Sequence, residues 1–326
     1  MLAVALLDLI EIPVENSPAP TSLRFFAGET LAEGLRRVID NQFVIALNIV
    51  ETPPGEQPIA VHATRKALKR LRAMLRLVRD TISHDCYHTD NQVLKLVAAE
   101  LSAVRDSWVM AQVMERLLPH SPSTNDAVIT IIDRLRDRYR IESAGLLENK
   151  PHMASIIEQL EAARHRSSRW TVLAGEVDTP LPHSYESIVP GLQRVYKRGR
   201  RGMRIVADSP TDTLLHVWRK RAKYLRHQVE ALNVLDPERL LSYELQLERL
   251  TDLLGDDHDL AVLLGRFRND QALVAGLALD PVLEAVGEKR HELQAESLAI
   301  GRVFFEEPST EFIAYIERAW GTGDTF

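Results

Sequence analysis

Two stretches of this chain carry the same order of cations. His62, Arg65, Lys66, Lys69, Leu71 and Arg72 recur 154 residues later as His216, Arg219, Lys220, Lys223, Leu225 and Arg226. Both stretches read H-x-x-R-K-x-x-K-x-L-R. On a helix, His62, Arg65, Lys69, Arg72, Arg76 and Arg79 follow steps of three and four, which places them on one face. His216, Arg219, Lys223 and Arg226 do the same. Like charges at these spacings repel and weaken an isolated helix, so the pattern implies an anionic ligand that supplies the counter-charge. The residue types fit phosphate. Arg presents a planar fork to two oxygens, and Lys a mobile point charge. His62 and His216 fall in opening helical turns, where free backbone N–H groups also favour anions. A bound phosphate chain would raise the histidine pKa and favour the doubly donating form.

The elements that must hold these rows are helices. Beside the basic row runs an apolar one, Val61, Thr64, Leu68, Leu71, Leu75 and Val78, repeated as Leu215, Trp218, Ala222, Leu225, Val229 and Leu232. Each helix is therefore expected to pack one side into a core and turn the adjacent side to a ligand. From His62 to Arg79 the row is about 25 Å long at ~1.5 Å per residue, which suits a linear polymer. The helix ahead of the second stretch adds Arg194, Lys197, Arg201 and Arg204 on one face, an expected adjoining wall. Its first-half counterpart holds only Arg36 and Arg37. Arg70, Arg79 and Arg221 are expected to be solvated or salt-bridged instead of touching a ligand.

Helical periodicity runs through nearly the whole chain. It predicts helices near 30–50, 58–83, 90–118, 125–148, 152–169, 187–207, 211–234, 238–270, 280–306 and 309–320, with prolines between them. Ser209-Pro210-Thr211-Asp212 and Asp236-Pro237-Glu238 carry helix-start signals. Only the first residues read differently. Leu9 to Val14 suggests a short strand or an extended arm, and Pro13 argues for an edge at most.

The bulk composition narrows the function classes. The chain has 326 residues, a net charge of −6, 45% hydrophobic content and one cysteine, Cys86. That cysteine usage excludes an intrachain disulfide framework and fits a reducing cytoplasm. No apolar run reaches membrane-span length. The apolar opening residues lack a preceding basic group and are interrupted by Asp8 and Glu11, so no secretory signal is expected. Charge is strongly segregated. Residues 61–80 carry +6 and residues 194–226 carry +9, leaving −21 on the remaining 273. An acidic exterior repels a duplex, while a recessed basic site still admits a thin anionic chain.

The repetition extends beyond the basic rows. Gly34-Leu35 and Arg37-Val38 match Gly191-Leu192 and Arg194-Val195. Leu101, Asp106 and Val109 match Leu254, Asp259 and Val262. The three blocks keep their order at offsets of 157, 154 and 153. They point to an all-α, tandem-duplicated fold with halves at 22–170 and 183–322 and an unassigned arm at 1–21. A pseudo-twofold arrangement would set the two rows opposite each other as one two-walled site.

These residues resemble the CHAD family, the conserved-histidine α-helical domain, over about 22–322. The paired basic helices and the element Leu254-Gly255-Asp256-Asp257-His258-Asp259 carry the resemblance. Membership implies two pseudo-symmetric four-helix bundles around a basic cavity. It also implies binding of inorganic polyphosphate and, in some members, residence in polyphosphate granules. The implied contacts are His62, Arg65, Lys66, Lys69, Arg72, His216, Arg219, Lys220, Lys223 and Arg226, with Arg37 and Arg194 matched more loosely. Arg76, Lys197 and Arg201 join them from the reading of the basic faces. Leu101-Ser102 departs from Leu254-Gly255, so that turn is expected to differ. A CYTH-type triphosphatase tunnel often precedes such domains; Glu11 to Glu15 lacks its acidic and basic motif, so a stand-alone member is expected.

Catalysis has weaker support. Asp256, Asp257 and Asp259 form the best carboxylate cluster for a hard metal, but the preferred reading is that they pair with basic residues. Asp106 and Asp259 are the carboxylates common to the matched blocks. His84 and His88 have metal-ligand spacing beside Asp85 and Cys86, without a second ligand pair. No phosphate-binding glycine loop, nucleophile elbow or dinucleotide fingerprint occurs. The expectation is a non-catalytic, cytoplasmic polyphosphate binder with no cofactor, metal or membrane partner. The alternatives are a nucleic-acid-binding helical protein, disfavoured by the scarcity of aromatics among the cations, and a metal-dependent phosphohydrolase.

Overall fold

A computed structural model describes residues 22–50, 52, 57–117, 125–147, 149–168 and 185–321. The expected arm at 1–21 and its strand reading lie outside the described residues. The described part is all-helical, as the periodicity predicts. Six helices precede residue 170: α1 Leu31–Leu47, α2 Gln57–Leu77, α3 His84–Glu100, α4 Ser102–Leu117, α5 Asn125–Leu147 and α6 Lys150–Ser167. Six follow: α7 Val189–Asp208, α8 Asp212–Ala231, α9 Pro237–Asn269, α10 Gln271–Val274, α11 Asp280–Phe304 and α12 Ser309–Gly321. No described helix is long and apolar enough to cross a membrane.

Local chemistry sets the starts. Thr30 and Glu33 close a capping box on α1. The Thr211 side chain accepts from Leu214 N at the start of α8. Asp236 accepts from Arg239 N ahead of Pro237 in α9. Each cap satisfies backbone donors that the first turn leaves open. Two expected boundaries differ. The helix predicted over 90–118 is two helices, because the chain breaks at Leu101, while α9 runs unbroken through the matching Leu254-Gly255. The predicted 58–83 helix ends at Leu77, so Arg79 leaves the basic row and sits over the Tyr87 ring at 4.7 Å.

The apolar rows pack inward. Val61, Thr64, Leu68, Leu71, Leu75 and Val78 are buried, as are Leu215, Trp218, Ala222, Leu225, Val229 and Leu232. Each fully buried large side chain contributes about 1.5–3 kcal/mol. α2 is enclosed further than one stripe requires: Ala67, Ala73, Met74 and Leu77 are buried too, and α1, α3, α4, α7 and α8 all touch it. Its basic face is what remains open. α7 lies so close on the end of α2 that a Cβ on Gly191 would stand 2.1 Å from Leu77 O. Only glycine fits at that contact.

The core has two parts. One is built from α1, α2, α3, α6, α7, α8 and α12, with the first turns of α9 and the end of α11. The other joins α4, α5 and α10 to the later part of α9 and the earlier part of α11. Both draw on residues before 170 and after 183, so the two sequence halves share their cores. α9 crosses from one core to the other: Leu247 and Leu250 belong to the first, Leu260 and Leu263 to the second.

Candidate anion-binding site

The basic helices meet where the two cores adjoin, and two cavities open along them. The larger, about 750 Å³, is lined by His62, Arg65, Lys66 and Lys69 of α2 and by Arg219, Lys223 and Arg226 of α8. The smaller, about 360 Å³, is lined by Arg65, Lys69 and Arg72 of α2 and by His216, Arg219, Lys220 and Lys223 of α8. Arg65, Lys69, Arg219 and Lys223 line both. The start of α2 thus shares a cavity with the end of α8, and the start of α8 shares one with the later turns of α2. The four common cations stand where the two cavities adjoin.

Neighbouring groups hold the cations in place. Arg65 donates to Ala98 O at 2.5 Å. Arg72 and Arg76 both donate to Asn91 Oδ1, at 3.3 and 2.9 Å, and Arg76 lies 4.1 Å over the Tyr224 ring. Arg226 pairs with Glu248 of α9. Arg219 lies against the α9 backbone at Gly255, where a Cβ would stand 3.4 Å from its Nη2. Lys66 is held below the usual lysine range by burial, with Arg70 and Arg226 adding repulsion. Lys220 is lowered by burial and then by Arg221, Arg72, Lys95 and Arg76. Burial is the larger cause in both, and the neighbouring cations add a repulsion that an incoming anion relieves.

The histidines sit on opposite sides of the shared wall. His62 is exposed at the larger cavity. His216, at the smaller, stacks on His258 of α9 with ring centroids 4.4 Å apart, and its buried Nδ1 has no hydrogen-bond partner. Burial, then Lys220 and Arg219, push His216 down to about 4. Burial, then Arg219, His216 and Lys69, push His258 down to about 3. Both are therefore neutral at pH 7.

Several expected site residues lie elsewhere. Arg37 pairs with Glu29 at 2.5 Å and stacks 3.5 Å over Phe26, beside a separate surface hollow. Arg194 pairs with Asp80 at 2.9 Å, and Lys197 donates to Gln193 Oε1 at 3.2 Å. Neither these nor Arg201 lines the central cavities, so α7 supplies no wall to them. Arg76 lies beneath the site without lining either cavity. Arg70 is buried against Glu230 at 3.7 Å. Arg221 stands among the cations that depress Lys220 and Arg198.

The carboxylate cluster disperses. Asp256 takes a two-pronged bond from Arg116 at 2.8 and 2.6 Å. Asp257, 1% exposed, accepts from Arg290 at 2.9 Å and Gln294 at 2.7 Å. Only Asp259 lines both cavities, and the Asp106 side chain lies outside the described residues. Among the described residues no group of three or more His, Cys, Asp or Glu is placed to hold a metal ion. The His84 and His88 rings lie 4.1 Å apart, tilted by 39°, with His84 Nδ1 3.5 Å from Asp85.

The site also contains groups the sequence reading left out. His258 is one; its aligned partner is Arg105, and a histidine in the place of an arginine was the available signal. Trp108 of α4 and Tyr139 of α5 are others. They line the larger cavity with ring centroids 5.3 Å apart. Nothing in the local pattern pairs residues 31 positions apart on successive helices.

Three comparisons bear on this arrangement. The model of the CHAD domain family matches residues 47–268. A crystal structure of the CHAD domain from the plant Ricinus communis is similar in fold, with a TM-score of 0.59 at 19% identity, covering 90% of this chain and 97% of that one. None of the curated proteins matches.

Proposed function

The chain belongs to the CHAD domain family, and on that premise we propose that it binds inorganic polyphosphate between α2 and α8 without cutting it. One observation carries the reading. The two basic rows, 154 residues apart in sequence, border the same cavities and share the wall of Arg65, Lys69, Arg219 and Lys223. Two cavities in series along one cationic wall suit a linear anion spanning both better than a single phosphate group. The acidic remainder of the chain favours a recessed, thin ligand over a duplex. The matched blocks fall on α1 and α7, on α2 and α8, and on α4 and α9, which supports a tandem duplication as the origin of the paired rows.

Binding without hydrolysis agrees with the ties on the carboxylates. Asp256 and Asp257 are each committed to an arginine, which leaves Asp259 as the one member of that cluster facing both cavities. Under this reading the protein acts in the cytoplasm, on free chains or at polyphosphate granules.

The test is affinity against chain length. Calorimetry with phosphate chains of increasing length should show steep gains until both cavities are filled, then a plateau. Long-chain polyphosphate should outcompete single-stranded RNA, and no phosphate should be released with Mg²⁺ present. RNA displacing polyphosphate would favour the nucleic-acid reading. Phosphate release abolished by Asp259→Asn would favour the hydrolase.

A further inference from the structure

The larger cavity has a wall that an inorganic chain does not use. Trp108 and Tyr139 form it, their planes inclined by 51°, and Trp108 is 36% exposed. Next to them Val109 and Val113 line the same cavity, and Ile59 is exposed at its edge. A polyphosphate chain is polar along its whole length and gains nothing from aromatic surface. The same cavity is lined by Arg65, Lys66 and Lys69 of α2 and by Arg219, Lys223 and Arg226 of α8. Aromatic rings from α4 and α5 and clustered cations from α2 and α8 in one cavity match a molecule with a π-face at one end and phosphates at the other.

We propose that the larger cavity binds a nucleoside polyphosphate, its base against Trp108 and Tyr139 and its phosphates among the cations of α2 and α8. A volume of about 750 Å³ falls in the range of small-ligand sites, roughly 300–1,000 Å³. Polar groups for a base edge are at hand: Gln112 lies one helical turn from Trp108, and Asp252 lines the cavity from α9. The feature belongs to one cavity. Among the described residues the smaller one has Tyr224 as its only aromatic ring apart from the two imidazoles, and Arg76 covers that ring. In the matched blocks Ala261 stands where Trp108 does, so the ring is specific to the first-half element. The inference rests on the anion-site reading above and adds a second ligand class to the same cations.

The experiment compares GTP, ATP and tripolyphosphate by calorimetry at fixed salt, on wild type, Trp108→Ala, Trp108→Phe and Lys69→Glu/Lys223→Glu. Charge alone favours tripolyphosphate, which is the more anionic, so any preference for a nucleotide reports the base. Expected is at least one nucleotide binding about tenfold or more tightly than tripolyphosphate, the scale of one stacked base. Trp108→Ala should remove that preference without weakening tripolyphosphate, and Trp108→Phe should retain most of it. Tripolyphosphate binding as tightly as both nucleotides, or a preference that survives Trp108→Ala, overturns the inference. If long-chain polyphosphate binds while the nucleotides show no preference, only this inference fails. If no ligand responds to Lys69→Glu/Lys223→Glu, the underlying anion site fails with it.

Discussion

The imidazole of His216 on α8 stacks on that of His258 on α9, 4.4 Å between centroids and 29° between planes. Asp212, Arg219, Lys220, Lys69 and Asp259 surround the pair. Burial and the adjacent cations hold the folded values at about 4 and about 3, below the ordinary 6.5. Between those limits the unfolded chain binds more protons than the folded one. Stability from this pair is therefore full above about pH 6.5 and is lost as pH falls toward 4. A bound polyanion reverses the local field and raises both values. Polyphosphate affinity should rise as pH drops from 7.5 to 5.5, and the acid loss of Tm should shrink when ligand saturates. His216→Asn/His258→Asn should flatten both profiles.

Arg219 packs against α9 at Gly255. Alanine there makes ordinary contact with the guanidinium at 3.4 Å and improves helix propensity by up to ~1 kcal/mol. Gly255→Ala should keep polyphosphate affinity and raise Tm slightly. Gly255→Leu should push Arg219 off α9 and weaken binding by several fold, with an overpacking cost of about 1–3 kcal/mol at this buried position. Titration of both variants beside thermal melts checks this.

Gly191 answers to a different constraint. Its neighbours are backbone carbonyls of Leu77 and Arg76, at 2.1 and 2.5 Å from an added Cβ, and backbone yields less than a side chain. Gly191→Ala should cost about 1–3 kcal/mol, read as a lowered denaturant midpoint. In Gly34→Ala the closest atom is the Phe25 ring, at 2.8 Å, which has more freedom to turn, so its loss should be smaller.

Asp257 is structural in this account. It is 1% exposed and tied to Arg290 and Gln294. Asp257→Ala removes one of the two carboxylates on Arg290 and leaves Asp212, at 2.6 Å, to hold its charge, at a cost of about 1–3 kcal/mol. Stability should fall while the salt dependence of polyphosphate binding in the remaining folded protein stays unchanged. Asp256→Asn, on the more exposed Arg116 pair, should cost under about 1 kcal/mol.

The sequence made the helices legible because 3.6-residue periodicity is a local signal. It also marked the two basic rows, since repeated spacing needs no partner to be seen. Breaks were harder. Leu101 ends α3 while Leu254 sits within a continuous helix, although both belong to the same matched block. Local pairing escaped notice for Arg37, whose partner Glu29 lies eight residues back, just after the turn at Gly28. The shared wall of four cations, the His258 stack and the Trp108–Tyr139 face all come from contacts between helices. Periodicity says which side of a helix is polar. It does not say which helix stands opposite.

The central claim is that α2 and α8 act as one polyphosphate site. The most direct measurement is calorimetric binding of long-chain polyphosphate across a salt series, to wild type and to Lys69→Glu/Lys223→Glu. Tight wild-type binding with a steep salt slope, and a large loss of affinity with a slope shallower by about 2 in the double variant, is the predicted result. Weak binding that ignores both salt and the substitutions would contradict it.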